Sequence, residues 1–118
     1  MSKPEHDRTI DYIEFGATDI EATKRFYAAC FGWKFTDYGP DYVAFEDGRL
    51  TGGFTTQAKP GGTPLVVLYA SELEQIFATV KAQRARIVLD KTALPDGMGA
   101  FAHIVDCEGN RVGLHALD

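Results

Sequence analysis

The sequence predicts an α+β protein in which two βαβββ modules pair into one curved sheet around a cleft. Three observations carry this expectation. The order strand, helix, three strands occurs twice, and helix-opening motifs stand at Thr18-Asp19-Ile20-Glu21 and Ser71-Glu72-Leu73-Glu74, 53 positions apart. Acid-Gly turns at Asp47-Gly48 and Glu108-Gly109 recur at an offset of 61, so eight further residues of the second half fall in Lys91–Gly99. Each module offers a sheet with one helix on one face, which leaves the other face to be covered by association. A ferredoxin-like sandwich is the alternative α+β arrangement.

The elements follow in order. Residues Met1–Arg8 are polar and expected to be loose, with His6 in this tail. Thr9–Gly16 alternates as a first strand. A capping box opens the first helix, whose apolar stripe runs Ile20, Thr23, Phe26, Tyr27, Cys30 and Phe31, and Gly32 is a stop signal. Trp33–Tyr38, Tyr42–Glu46 and Arg49–Thr55 read as strands joined at Gly39-Pro40-Asp41 and Asp47-Gly48. Residues 57–63, QAKPGGT, form a linker. Leu65–Tyr69 is a continuous apolar strand. In the second helix Leu73, Ile76, Phe77 and Val80 fall at i, i+3, i+4 and i+7. Arg86–Leu89, Phe101–Val105 and Arg111–Leu117 close the chain. The expected organisation is one domain over 1–118, with module one at 9–56 and module two at 64–118.

Composition narrows the function classes. A hydrophobic share of 45% with 25% charged residues is that of an ordinary globular domain. The net charge of −5 argues against nucleic acid as a partner. No apolar run approaches the roughly 20 residues of a membrane span. The opening MSKPEHDRT lacks the apolar core of a signal peptide. Cys30 and Cys107 supply neither a disulfide framework nor zinc spacing, so a reducing cytoplasm is expected.

The chemistry concentrates in Asp106–His115, DCEGNRVGLH. A tight turn over Asp106–Asn110 feeds the last strand. There Val112 and Leu114 point one way, and Arg111, Gly113 and His115 the other. Glu14 sits mid-strand among apolar neighbours, where an unpaired carboxylate is expensive to bury. It reads as a general base or polar anchor for a ligand, or as an ion-pair partner of Arg111. His115 reads as its partner or as a solvated residue near the chain end. Arg111 suits an acidic ligand group, or a surface pair with Glu108 or Asp106. His103 is a structural or a site histidine, its face undetermined. Cys30 reads as core, and Cys107 as an inert thiol in a turn.

The stretches YIEFGATDIEATKRFYAACFGW and FAHIVDCEGNRVGLH resemble the vicinal oxygen chelate superfamily, the group of glyoxalase I, bleomycin-resistance proteins and extradiol dioxygenases. The resemblance runs from Ile10 to Leu117 and implies the same order of elements. It also implies metal-ligand positions on the first and last strand of each module, which here hold Tyr12, Leu65, Gly52 and Gly113. None is a His or Glu, so no metal and no other cofactor is expected. Two residues further along each strand, a second ring holds Glu14, Phe54, Val67 and His115.

The site expected on this basis has Glu14 and His115 as catalytic residues, with Tyr12, Phe54, Leu65, Val67 and Arg111 lining a pocket. Three functions are compatible with it. The first is metal-independent binding of a small organic molecule, which an aromatic lining of Tyr12, Phe54 and Tyr42 favours. The second is acid–base catalysis of isomerase or lyase type, with Glu14 as base and His115 or Tyr12 as partner. The third is a metal-dependent lyase acting on glutathione adducts, or a dioxygenase, with atypical ligands. A homodimer is expected, with the Lys91–Gly99 loop bordering the cleft.

Overall fold

The computed structural model describes residues 6–117. It contains eight strands and two helices in the order β1 (Ile10–Gly16), α1 (Ile20–Phe31), β2 (Lys34–Asp37), β3 (Tyr42–Glu46), β4 (Thr51–Thr55), β5 (Leu65–Tyr69), α2 (Leu73–Ala82), β6 (Arg86–Ala93), β7 (Ala100–Val105) and β8 (Arg111–Ala116). This is the α+β fold with its βαβββ order twice over. The chain divides into two compact units, one spanning Tyr12–Leu65 and the other joining the chain up to Asp11 with Val66 onward. Neither helix is long and apolar enough to cross a membrane among the described residues.

In the Tyr12–Leu65 unit the strand order is β2-β3-β4-β1. β1 runs parallel to β4, while β3 pairs antiparallel with β4 and with β2. Helix α1 starts where Asp19 accepts a hydrogen bond from the Ala22 amide, so Asp19 caps the helix in place of the expected Thr18. It stops at Gly32, whose φ of 72° is the left-handed conformation that glycine tolerates. Its inner side covers a cluster of Ala17, Ile20, Val43, Phe45 and Phe54, against which Phe15, Tyr27, Trp33 and Phe35 pack. Trp33 stacks on Phe45 at 4.4 Å between ring centroids. The stripe read from the sequence is only half used, since Phe26, Cys30 and Phe31 are exposed.

In the other unit the order is β5-β8-β7-β6, with β5 parallel to β8 and the other pairs antiparallel. Helix α2 covers Ala70, Leu73, Phe77, Ala102, Leu114 and Ala116. Its expected capping box does not form, because Glu72 makes no side-chain cap and Ser71 bonds elsewhere. The Ser71 amide and hydroxyl both donate to the Asp7 carboxylate, at 2.8 and 2.9 Å. These hydrogen bonds hold the Asp7 carboxyl below its usual range. Arg8 N–H donates to the Tyr69 carbonyl and Tyr69 N–H to that of Thr9. The expected loose start is therefore tied down from Asp7 onward, and residues 1–5 lie outside the described residues. The insertion also differs from expectation. Strand β6 extends through Ala93 with two register shifts, so the loop shrinks to Leu94–Gly99.

Backbone proximity makes Gly52 a sensitive point. A methyl group there would sit 2.2 Å from the Ile13 carbonyl oxygen and 2.4 Å from Phe45 Cζ. The first of these is backbone of the paired strand and cannot turn away. Gly52→Ala is expected to destabilise the protein by about 1–3 kcal/mol. Urea unfolding would register this as a lower midpoint at unchanged slope, and an unmoved midpoint would contradict the packing described.

Candidate functional site

In the Tyr12–Leu65 unit, alternation along β1 sends Phe15 to the α1 side, stacked on Phe54. It sends Tyr12 and Glu14 to the opposite face. There Glu14 stands opposite Gly53, which stands opposite Ala44. Small residues beside the carboxylate leave room for the Tyr42 ring. A methyl at Gly53 would fall 2.1 Å from the Tyr42 hydroxyl oxygen and 2.4 Å from Cζ. The Tyr42 hydroxyl donates to Glu14 Oε2 at 2.8 Å, and the Tyr12 hydroxyl lies 2.5 Å from that of Tyr42. A phenol has one proton, and that of Tyr42 goes to the carboxylate, so Tyr12 is the donor to Tyr42. The result is a directed, half-buried chain from Tyr12 through Tyr42 to Glu14.

Burial pushes the Tyr12 phenol up to about 12, the Tyr42 hydrogen bond opposing this and the Glu14 charge adding to it. Burial also raises Tyr42, helped by the neighbouring Tyr12 and Glu14. Both phenols therefore stay protonated donors at neutral pH. The folded state favours the protonated phenol, so the linked stability is complete below the ordinary tyrosine value of 10.0 and fades as pH rises through about 12. Replacing Glu14 by Gln removes a negative charge from beside both rings. In an alkaline titration followed by phenolate absorbance, Glu14→Gln is expected to ionise tyrosine at lower pH than wild type. Superimposable curves would mean that the carboxylate does not act on them.

In the unit that joins the chain up to Asp11 with Val66 onward, Leu114 and Ala116 pack beneath α2, and Arg111, Gly113 and His115 take the other face. The ladder sets Tyr69, His115 and Phe101 in one row, and Val67, Gly113 and His103 in the next. Leu65, two residues before Val67, takes the same side of β5 by alternation. His115 is only 7% exposed, so it is no frayed surface residue. Its Nε2 lies 2.7 Å from the Met98 carbonyl oxygen, and since a carbonyl only accepts, Nε2 carries the proton. Gly99 makes this approach feasible. Its φ is +93°, and a Cβ there would fall 2.0 Å from the Ala116 carbonyl oxygen. Burial raises the Asp11 carboxyl, with the His115 ring opposing the rise.

Arg111 Nη1 stands 2.8 Å from His103 Nδ1. A guanidinium has no lone pair to offer, so Nδ1 accepts and the ring is neutral, with its proton on Nε2. Burial first and the Arg111 charge second hold the His103 pKa below its ordinary 6.5. The expected pairing of Arg111 with Asp106 or Glu108 does not form. Asp106 instead takes the Glu108 and Asn110 amides and the Asn110 side chain.

Tyr12 and Glu14 share one face, as expected, and Tyr42 completes their chain in a role that the sequence reading missed. Its signal was the Gly52-Gly53 pair, which opens room for a ring on one face. Phe54 does not join them. It is 2% exposed and packs against Phe15, Tyr27 and Phe45 on the helix side. There it also borders a cavity of about 430 Å³ near the start of α1 and Pro60. The reason is turn length. Glu46 pairs with Thr51, five positions on, whereas Val105 pairs with Arg111, six on. A difference of one residue reverses the alternation, so Gly53 and Thr55 match Gly113 and His115 in position. Counting from the acid-Gly turn selected Gly52 and Phe54 instead. Glu14 and His115 belong to different units, and bond to Tyr42 and the Met98 carbonyl respectively.

Residues 9–114 match the model of the Glyoxalase/Bleomycin resistance protein/Dioxygenase superfamily, and the chain belongs to that family. A search of the curated proteins found no match by sequence. Solved structures share the fold at low identity. A hypothetical protein from Bacillus halodurans C-125 is 14% identical, with a TM-score of 0.72 over 92% of this chain and 94% of its own. A methylmalonyl-CoA epimerase from Mycobacterium tuberculosis is 11% identical at a TM-score of 0.68, over 98% of this chain and 92% of its own. A Mn(II)-bound glyoxalase from Novosphingobium aromaticivorans is 17% identical at 0.68, over 91% of this chain but 38% of its own.

The described residues at the positions that the resemblance marks do not supply the donor set of a divalent transition metal. The positions marked by the resemblance hold Tyr12, Leu65 and Gly113, with Gly53 at the fourth by register. Among these only a phenol carries a donor atom, and Tyr12 uses it within the hydrogen-bond chain. Among the described residues, no three His, Cys, Asp or Glu side chains come together as a metal-binding group.

Proposed function

We propose that the protein binds a small organic molecule on the face that carries Tyr12, Tyr42 and Glu14, and does so without a metal. One observation carries this reading: a half-buried chain of two phenols and a carboxylate occupies the start of the strand face where a metal ligand would stand. With both phenol protons committed inside the chain, the Tyr12 oxygen and the second Glu14 oxygen remain as acceptors, which suit a ligand with an apolar body and a hydroxyl group that donates. Phenol faces supply apolar contact, and the hydroxyls fix orientation.

A thermal-shift screen of small aromatic ketones and phenols, run with chelator present, tests this. Ligands are expected to raise the melting temperature of wild type, and the gain is expected to vanish in Tyr42→Phe and Glu14→Gln. Stabilisation that appears only when manganese, nickel or zinc is added would overturn the reading. So would a screen without a single stabilising compound.

A second reading, acid–base catalysis, is favoured by the direction of the chain. Glu14 can accept a proton from the carbon next to a carbonyl, and Tyr12 can donate to the carbonyl oxygen once its hydroxyl turns from Tyr42 to the ligand, the pair required to move such a proton. Incubating bound ketones in heavy water tests it by NMR. Deuterium entering the carbon next to the carbonyl at a rate lost in Glu14→Gln supports catalysis, and no entry beyond the buffer rate leaves binding alone.

A further inference from the structure

We propose that the cavity between the start of α1 and the Pro60–Gly61 turn is a second binding site, which takes a small arylalkyl ammonium. It lies wholly within the Tyr12–Leu65 unit, on the side of its sheet that carries α1. Tyr12, Tyr42 and Glu14 occupy the opposite face, so the two sites stand or fall independently.

The stretch that the sequence marks as a linker forms one wall. Gly62 N–H donates to the Lys59 carbonyl, and Gly61 between them has a φ of 83°. Pro60 followed by a left-handed Gly61 is the residue pair of a type II turn, in which proline fixes the backbone in advance. Gly16 lets this segment press against the end of β1. A Cβ there would fall 2.6 Å from the carbonyl oxygens of Ala58 and Lys59. The first two turns of α1 form a second wall, with Asp19, Ala22 and Phe26. Phe15, Tyr27 and Phe54 add an aromatic lining, with centroids 5.4 Å apart for Phe15 and Phe54 and 5.1 Å for Tyr27 and Phe54. The cavity holds about 430 Å³. Small-molecule pockets span about 300–1,000 Å³.

Two observations select the ligand. Phe26 lines the cavity yet is 55% exposed, set edge-on to Tyr27 at 5.1 Å between centroids. A ligand with an apolar ring would cover it. Asp19 is the one charged residue among the described residues of the lining, and it forms no ion pair with any described residue. One of its oxygens accepts from the Ala22 amide, and no described residue donates to the other. A carboxylate beside aromatic rings attracts a cation twice, by its charge and by the ring quadrupoles. An anion is disfavoured even at this helix start, because the cap is itself a carboxylate and Glu21 follows in the first turn.

Phenethylammonium, phenethyl alcohol and phenylacetate share one shape and differ in charge, and amide NMR titration with each tests the proposal. The ammonium is expected to bind most tightly and phenylacetate least, with shifts at Asp19, Ala22, Phe26 and Gly61. Asp19→Asn keeps a good helix cap without the charge. It is expected to weaken ammonium binding about threefold or more and to leave the alcohol unchanged. Phe26→Ala removes an exposed ring and is expected to weaken ammonium and alcohol alike, by about threefold to tenfold. An unchanged amide spectrum away from α1 checks that each variant is folded. An ammonium that binds no more tightly than the alcohol or phenylacetate overturns the ligand class, as does undiminished binding in folded Asp19→Asn. Absence of shifts with all three, shifts confined to Tyr12, Tyr42 and Glu14, or undiminished binding in folded Phe26→Ala overturns the site.

Discussion

The Tyr42 ring lies across a position with no side chain, and the site on this unit depends on that contact. Gly53 stands directly between Ala44 and Glu14 in the ladder. Any side chain there would collide with the Tyr42 hydroxyl and the end of its ring. Without it the ring reaches across β4 to a carboxylate on β1. The glycine costs backbone entropy and gives the strand nothing to pack. That cost is tolerated because the neighbouring positions, Gly52 and Phe54, face a core of five or more aromatic rings. The dense packing under α1 holds β3, β4 and β1 in register while the other face is left to polar chemistry.

That division explains how a carboxylate and two phenols persist half-buried. Each polar group has a partner in the chain, and among the described residues no buried side-chain donor or acceptor is left unsatisfied. Removing one member would strand its neighbours, which is why such chains act as a unit. Raised phenol pKa values follow from the same surroundings, since phenolates beside a carboxylate in a partly desolvated site are doubly disfavoured.

The two units repeat one plan and use it differently. Each lays a helix across one side of four strands and sets polar residues on the other. On one, the polar residues form a chain that ends in an acceptor. On the other, His115 is bonded to the carbonyl of a loop, and Arg111 is paired with a neutral ring. Family membership accounts for the plan, and the side chains at matching strand positions account for the difference.

Much of the plan was legible in the sequence, because it rests on local chemistry and counting. Alternation, apolar runs and turn signals marked all eight strands, a period of 3.6 marked both helices, and Gly32 marked a helix end. The opposite orientation of Tyr12 and Glu14 from Phe15 followed from alternation alone. Three features depended on contacts that no local pattern encodes. Ser71 reads as half of a capping box, yet its hydroxyl is taken by Asp7, 64 positions away. Cys30 and Phe31 continue an apolar stripe, yet α1 meets the sheet along a narrower line, so both stay exposed. Phe54 took the helix side because one turn is a residue shorter than its counterpart, and a shift of one reverses every side chain on a strand. Sequence determined which residues could do chemistry. Only tertiary structure decided which of them meet, because hydrogen-bond partners such as Tyr42 and Glu14 lie on separate strands, and register sets their distance.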